Sequence, residues 1–311
     1  MPSLDIVIVN WNAGKQLQRC LSSIAAAQRQ SFCVDRVIIV DNASSDGSLD
    51  RLQPAGLPLI VIANQANRGF AVACNQGAAG STADYLLFLN PDVVLEPSAL
   101  EESVVFMQQP ENARVGICGI QLLNSTGEIA RGCARFPSPA HFFAMATGLE
   151  RIAPNRFPGA VMKEWDHQVS RKVDHVIGAF FMVRCNLFAS LSGFDERFFV
   201  YLEDIDFSYR AWQSGWNSYY LATVRAEHSG GGCSEQVKAT RLFYSLRSRI
   251  QYAYKHLSVT SATAVLLLTI FIEPVVRFGH ALLRGSFAEL AEVSDGYWKL
   301  WKCAAQGMRQ S

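Results

Sequence analysis

Short apolar runs, each closed by polar turn residues, recur early in the chain: Ile6–Val9, Val37–Val40, Leu59–Ile62 and Tyr85–Leu89. Their length and their content of Val, Ile and aromatic residues predict buried β-strands. Between the first two, Leu17, Leu21 and Ile24 fall on one face of a helix that Asn12 is placed to cap. An Ala-rich stretch from Phe70 to Ala79 predicts a second helix, and Pro97 suits the first turn of a third running to about Gln109. Strands alternating with helices predict an α/β fold, its sheet mainly parallel and covered on both faces. From Gln121 to Asp174 the chain is richer in Pro, Gly and Arg and loses its period, which predicts loops and a hairpin over the cleft. The apolar pattern returns at Val176; a helix with a charged cluster is expected over Tyr201–Trp212 and a strand over Ser218–Leu221.

In open parallel sheets ligands bind beyond the carboxyl ends of the strands. Polar residues collect there: Asn10 and Asn12 after the first strand, Asp41 and Asn42 after the second, Asn64 and Asn67 after the third, Asn90 and Asp92 after the fourth. Asp41 suits hydrogen bonding to a base edge or to ribose hydroxyls, whereas Asp46-Gly47 suits the turn and a helix cap. In the next loop Arg68 suits a phosphate, Gly69 admits close approach, and Asn75 shares a helix face with Ala71; the same string also suits a capped packing helix.

The sharpest local signal is Leu86-Leu87-Phe88-Leu89-Asn90-Pro91-Asp92, an apolar strand ending in an amide and a carboxylate. Hard oxygen ligands at a strand end suit Mg²⁺ or Mn²⁺ held together with a diphosphate; the bland reading is an Asn-Pro-Asp turn. Further on, Glu203, Asp204 and Asp206 crowd into one short string. Mutual repulsion there raises the pKa of at least one, as a general base requires, while acids at a helix N-terminus also simply complement its dipole. His228 precedes Gly230-Gly231-Gly232, a backbone able to approach a phosphate, though a lone His is more often a structural hydrogen-bonding residue.

Composition narrows the picture. Half of the residues are apolar, ample for a large core, and 28 Lys and Arg against 27 Asp and Glu leave a net charge of +1, which gives no reason to expect a nucleic-acid partner. The eight cysteines form no CxxC pair and read as reduced thiols. No basic segment followed by a long apolar run opens the chain, so a cytosolic compartment is expected.

Beyond about residue 236 the pattern changes. Arg241, Arg247, Arg249 and Lys255 alternate with Leu242, Phe243, Tyr244, Ile250, Tyr252 and Tyr254, and Leu257–Ile272 carries no charge before Glu273, Pro274 and Arg277 interrupt it. An interfacial or re-entrant helix is expected rather than a full span, with Phe287, Tyr297, Trp298 and Trp301 beside Lys299 and Lys302 as a second contact. The alternative is a helical appendix packed on the core or on a second subunit in a homo-oligomer.

Taken together, Val7-Ile8-Val9-Asn10-Trp11-Asn12, Val40-Asp41-Asn42-Ala43-Ser44-Ser45-Asp46-Gly47-Ser48, Asn67-Arg68-Gly69-Phe70, Asn90-Pro91-Asp92 and Gly193-Phe194-Asp195-Glu196-Arg197-Phe198-Phe199 resemble glycosyltransferase family 2, and within it the rhamnosyltransferase-like branch. The resemblance runs in order from about Leu4 to Gly232. It implies a Rossmann-like GT-A catalytic domain over 1–235, with a nucleotide-sugar half to about 120 and an acceptor half beyond, followed by a membrane-associating helical region over 236–311. It implies base contact by Asp41, a general base at Asp204 supported by Glu203, and metal ligation by Asp92 with His228 approaching the metal or diphosphate. Asn90 departs from the family pattern by replacing a first Asp, which makes Asp92 the main ligand. Asn10, Asn12, Asn67, Arg68, Gly69, Asn75 and Asn90 complete the expected donor side, and Tyr201 and Trp212 the acceptor side. The implied reaction is inverting transfer, with dTDP-L-rhamnose the favoured donor and a lipid-diphosphate-linked glycan the acceptor, at the cytoplasmic face of a membrane. A different nucleotide sugar, or a silent nucleotide- or glycan-binding protein, remain the alternatives.

Overall fold

A computed structural model describes residues 1–50, 52, 56–230 and 238–305. They form two compact units. The first comprises Met1–Arg135, Lys163–Glu196 and the chain from Glu203 to the end of the sheet; the second takes in Phe136–Met162, Arg197–Leu202 and the C-terminal helices. The helical unit thus draws on two internal segments as well as the chain beyond 236.

Ten strands, β1 (Ser3–Asn10), β2 (Cys33–Asp41), β3 (Leu59–Ala63), β4 (Tyr85–Leu89), β5 (Val93–Leu95), β6 (Val115–Leu123), β7 (Ile129–Ala130), β8 (Arg171–Val173), β9 (Phe180–Arg184) and β10 (Asn217–His228), build one sheet. Its order is β3-β2-β1-β4-β9-β6-β10-β5, with β7 beside β6 and β8 beside β10. The first four strands are mutually parallel, as expected. The far half is mixed: β9 is antiparallel to both β4 and β6, and β5 is antiparallel to β10. The hairpin expected after Gln121 is β6–β7, turning at Asn124–Glu128.

Helices α1 (Lys15–Ala26), α2 (Phe70–Ala78) and α3 (Ala99–Gln108) follow the predicted stretches, except that α3 opens after its N-cap Ser98 and leaves Pro97 outside the first turn. On α1, Leu17, Leu21 and Ile24 are fully buried against the sheet, each contributing about 1.5–3 kcal/mol. Its N-cap is Gly14 with no side-chain cap, so Asn12 does not cap it. Asn12 instead sits at φ 52° and accepts from the Ser45 N–H, tying two loops together. The Pro, Gly and Arg-rich middle also holds helices that periodicity concealed: α4 (Pro139–Thr147), opened by a capping box between Ser138 and His141, and the short α5 (Leu149–Ile152). After β9 come α6 (Cys185–Ser190) and α7 (Glu203–Gln213). Residues 201 and 202 lie at positive φ, so the charged helix starts two residues later than expected and Tyr201 is outside it.

An aromatic cluster anchors the chain at Phe194, just after α6. The Phe194 ring lies 4.9 Å from Phe88 on β4 and 5.3 Å from both Phe188 and Phe207, with the edge and tilted geometries that ring quadrupoles favour.

In the second unit α8 (Lys238–His256) packs against α11 (Phe287–Ala305) through Leu246, Ile250, Val293, Tyr297 and Leu300. Helix α9 (Val259–Leu267), a π turn over Leu268–Ile272 and α10 (Glu273–Leu283) run on as one helical segment, Val259–Leu283, of 25 residues. The expected interruption does not occur. Pro274 falls in the first turn of α10, where a missing N–H costs least. Glu273 is buried against Arg249 and Arg277. By length and composition this segment is apolar enough to cross a membrane.

Candidate active site

The carboxyl ends of the parallel strands carry a connected polar network. Asn10, wholly buried at the end of β1, donates through Nδ2 to Asp41 Oδ1 (2.6 Å), Ser48 Oγ (2.8 Å) and Ser44 Oγ (3.1 Å). Its own Oδ1 is buried with no hydrogen-bond partner among the described residues. Asp41 also accepts from the Ser44 N–H and hydroxyl, which curls the following loop back over the strand end. Asp46 pins the same loop by accepting from the N–H groups of Gly14 and Ser48. Burial raises its carboxyl, but the bonds from Ser48 and Gly14 outweigh that and hold it below the ordinary range. This is the turn-forming part expected of Asp46.

Next to it, Asn42 donates to the Gly69 carbonyl and accepts from Asn64, which pairs reciprocally with Gln76. Asn67 accepts from the Gly69 N–H and shapes the turn into α2, leaving Arg68 exposed with no hydrogen bond or ion pair among the described residues. Asn75 is placed differently from the other donor-side residues. Its amide donates to the Phe194 carbonyl (2.9 Å) and to Glu196 (3.1 Å) and accepts from the Phe194 N–H (2.9 Å), so it clamps the Gly193–Glu196 loop. Gly193 sits at φ 71°, and a Cβ there would come within 2.5 Å of Asn75 Oδ1, so only glycine fits.

The strand order explains how Asp92 and His228 meet. Asp92 ends the turn between β4 and β5, and β5 runs antiparallel to the end of β10 with Val93 opposite His228. His228 is thus the last residue of β10, which runs past the expected Leu221. The His228 imidazole Nε2 lies 3.4 Å from Asp92 Oδ1, both side chains largely buried. The Asn90 side chain at the same strand end makes no hydrogen bond among the described residues. One carboxylate, one imidazole and an open amide form a sparse donor set, suited to Mg²⁺ or Mn²⁺ that shares its coordination with a diphosphate. Among the described residues no group of three or more His, Cys, Asp or Glu side chains forms a closed metal cage. Gly230 is described at φ 64°, while Gly231 and Gly232 of the glycine string lie outside the described residues.

The acids at the start of α7 take separate roles. Asp206 is buried and binds Arg210 (2.8 Å), which also donates to the Leu191 and Gly193 carbonyls. Asp204 accepts from the N–H of Ile205 on Oδ1 and of Gly178 on Oδ2 (3.0 Å), with His175 Nε2 3.4 Å from Oδ2. Burial pushes this carboxyl up, but the His175 imidazole and the N–H donors hold it below the ordinary range. Glu203 behaves oppositely. Burial, then the charges of Asp204 and Asp206, drive it well above the ordinary range, and its Oε2 has no partner among the described residues. Of Glu203 and Asp204, Glu203 is the one raised, by burial first and by its neighbours' charges second.

The backbone from Gly178 to Ala179 ties these regions together: the Gly178 N–H serves Asp204 while the Ala179 carbonyl accepts from the Asn90 N–H (2.9 Å). A Cβ on Gly178 would lie 2.9 Å from Asp204 Oδ2, so this approach depends on glycine. Trp212 is not brought near. It is exposed, eight positions beyond Asp204 on α7, about 12 Å along the axis. Tyr201 belongs to a segment of the helical unit. Sequence reasoning did not single out His175, Ser208, Gly178 or Arg210. For Arg210 the i,i+4 spacing from Asp206 was the available signal; His175 stood in the stretch without period.

The profile of Glycosyl transferase family 2 matches residues 5–189. The N-acetylglucosaminyl-diphospho-decaprenol L-rhamnosyltransferase of Mycobacterium tuberculosis is 27% identical over 237 residues, covering 72% of this chain and 75% of that protein. The low-salt glycan biosynthesis hexosyltransferase Agl10 of Haloferax volcanii is 24% identical over 265 residues, covering 84% and 76%. Among solved structures, the mannosyltransferase PcManGT of Pyrobaculum calidifontis, in complex with GDP-Man and Mn²⁺, superposes with a TM-score of 0.54 at 16% identity, covering 99% of this chain and 81% of that one. The match spans β1 to α6 and takes in the Asn10–Asp41 network and the Asn90-Pro91-Asp92 turn; with it, the chain belongs to glycosyl transferase family 2, has the GT-A fold and is similar to the family's rhamnosyltransferases.

Proposed function

We propose that this glycosyltransferase moves a sugar, with inversion at the anomeric carbon, from a nucleotide-diphosphate donor to a hydroxyl of a lipid-diphosphate-linked glycan. L-rhamnose from dTDP-L-rhamnose is the first choice, supported by the relative from M. tuberculosis, whose name gives an L-rhamnosyl group and a diphospho-decaprenol acceptor. The observation that carries the reading is the Gly178–Ala179 backbone. It holds the Asn90 strand end, adjoining Asp92 and His228, and the Asp204 carboxylate at consecutive residues of one chain segment.

In this reading Asp204, kept ionised by its partners, takes the proton of the acceptor hydroxyl. The freed oxygen bonds to the anomeric carbon from the face opposite the diphosphate, and the bond from that carbon to the diphosphate oxygen breaks. Asp92 and His228, with Asn90 beside them, would hold Mg²⁺ or Mn²⁺, whose charge stabilises the departing diphosphate. Asp41 and the loop it curls would receive the base or ribose. Asn90 favours one second reading: with an amide where the family carries a carboxylate, the chain binds a nucleotide sugar without turning it over.

The helical unit supports a site of action at the cytoplasmic face of a membrane. Along Val259–Leu283, Leu267, Phe271, Val275 and Leu282 are exposed at spacings that place them on one helical face.

The test is a thermal-shift panel of UDP-, GDP- and dTDP-sugars with and without Mn²⁺, followed by transfer assays on wild type and Asp204→Asn. A metal-dependent shift with one donor, and at least about a hundredfold loss of turnover in Asp204→Asn with donor binding intact, is the expected result. Donor binding without transfer to any lipid-diphosphate acceptor would favour the silent binder. Near-normal turnover in Asp204→Asn would remove it as the base.

A further inference from the structure

We propose that His175 is a positioning residue for the transfer step: through Nε2 it orients the Asp204 carboxylate and keeps it charged, so that the base works as a His175–Asp204 dyad. The inference rests on the reading of Asp204 as the base.

The imidazole is held on all sides. Its backbone is locked by reciprocal hydrogen bonds with Ala134, each 3.1 Å, and its side chain is buried. Nδ1 lies 3.0 Å from Ser208 Oγ, one turn along α7 from Asp204. The Ser208 hydroxyl already donates its single proton to the Asp204 carbonyl (2.9 Å). Toward His175 it can only accept, so Nδ1 carries a proton. That leaves Nε2 3.4 Å from Asp204 Oδ2, the carboxylate oxygen that also takes the Gly178 N–H. The contact is attractive when Nε2 is protonated as well, which couples the ring's proton to the carboxylate's charge. Ser208 thereby sets the ring, and the ring sets the base.

Burial works against the Asp204 charge, and the N–H groups of Gly178 and Ile205 support it without themselves being charged. Glu203 and Asp206 precede and follow it on α7 and Cys74 faces it from α2, none of them a cation. Arg210, the cation on the same helix, is committed to Asp206 and to the carbonyls of Leu191 and Gly193. Of the side chains named here around Asp204, His175 is the one that favours its charged form.

The experiment compares wild type, His175→Gln and His175→Leu by the pH profile of kcat, with KM for the donor measured alongside. Without the imidazole the carboxyl protonates at higher pH, so the acid limb of both variants should move up by about one pH unit or more. Turnover on the acid limb, below about pH 5, should fall by up to about tenfold and recover toward neutral pH, with donor KM within about twofold of wild type. An unmoved limb, with activity either intact or lost equally at every pH, would overturn the proposal and leave His175 as packing. A readout that needs no turnover covers the case in which the variants fold poorly: the ¹⁵N ring signals of His175 in wild type should change in Asp204→Asn. Unchanged signals would overturn the dyad. Asp204→Asn in the transfer assay separates the two levels, because full turnover there removes the base itself, whereas an inactive Asp204→Asn with an unmoved His175 limb removes only the dyad.

Discussion

At the scale of single residues, Glu203 has the most direct consequence for stability. Its folded-state pKa lies above the unfolded value because of burial and then of Asp204 and Asp206. The folded chain therefore retains a proton that the unfolded chain gives up, and stability present below the ordinary value of 4.5 is lost as pH rises through the folded value. Glu203→Gln removes that loss. Its melting temperature relative to wild type should rise from pH 4.5 to pH 8, by about 2–4 °C for each kcal/mol relieved; a gap that stays flat with pH would mean the buried carboxyl is ionised. Individual side chains were unevenly legible in the sequence. Asn10 and Asp41 could be placed because each follows an apolar run that could only be a buried strand. His175 could not, since its partners Ser208 and Asp204 are some thirty residues away and nothing periodic connects them.

At the scale of elements, the short Gly193–Glu196 loop is held from two sides, by the amide of Asn75 on α2 and by Arg210 on α7. Asn75→Ala removes both bonds to Phe194 and the bond to Glu196, and should cost about 1–3 kcal/mol in chemical denaturation. If the clamp is its main task, donor affinity should stay within about twofold; a tenfold loss of affinity with unchanged stability would return Asn75 to the donor side. Elements with a clear period were readable almost to their ends, as α1 and α2 show. Those set by tertiary partners were not. Helix α4 depends on a cap built from Ser138 and His141, the start of α7 on two residues at positive φ, and the length of β10 on late pairing with β5.

At the scale of the whole molecule, the parallel half of the sheet was legible because strand and helix periods alternate there, while the mixed half depends on pairings between distant segments. The extent of the helical unit was hidden for the same reason: two of its segments lie inside the catalytic stretch. If its exposed apolar face meets lipid, replacing Leu267, Phe271 and Val275 together by Asp should lower partition onto anionic vesicles by at least about tenfold. These side chains are 49%, 63% and 70% exposed, so the fold should tolerate the change. Undiminished sedimentation with vesicles would move the attachment elsewhere. The sheet itself carries a further consequence, in β10. Between Leu221 and Arg225 this strand advances four residues while β6 advances one, Ile120 to Gln121, and only afterwards does it reach β5 and deliver His228 opposite Val93. Strand side chains alternate between faces, so the size of that bulge decides which way the histidine looks. A family member that gained or lost a single residue there would keep its fold and every motif in its sequence, yet turn the imidazole to the wrong side of the sheet. The bulge is therefore a place where insertions and deletions should be rare.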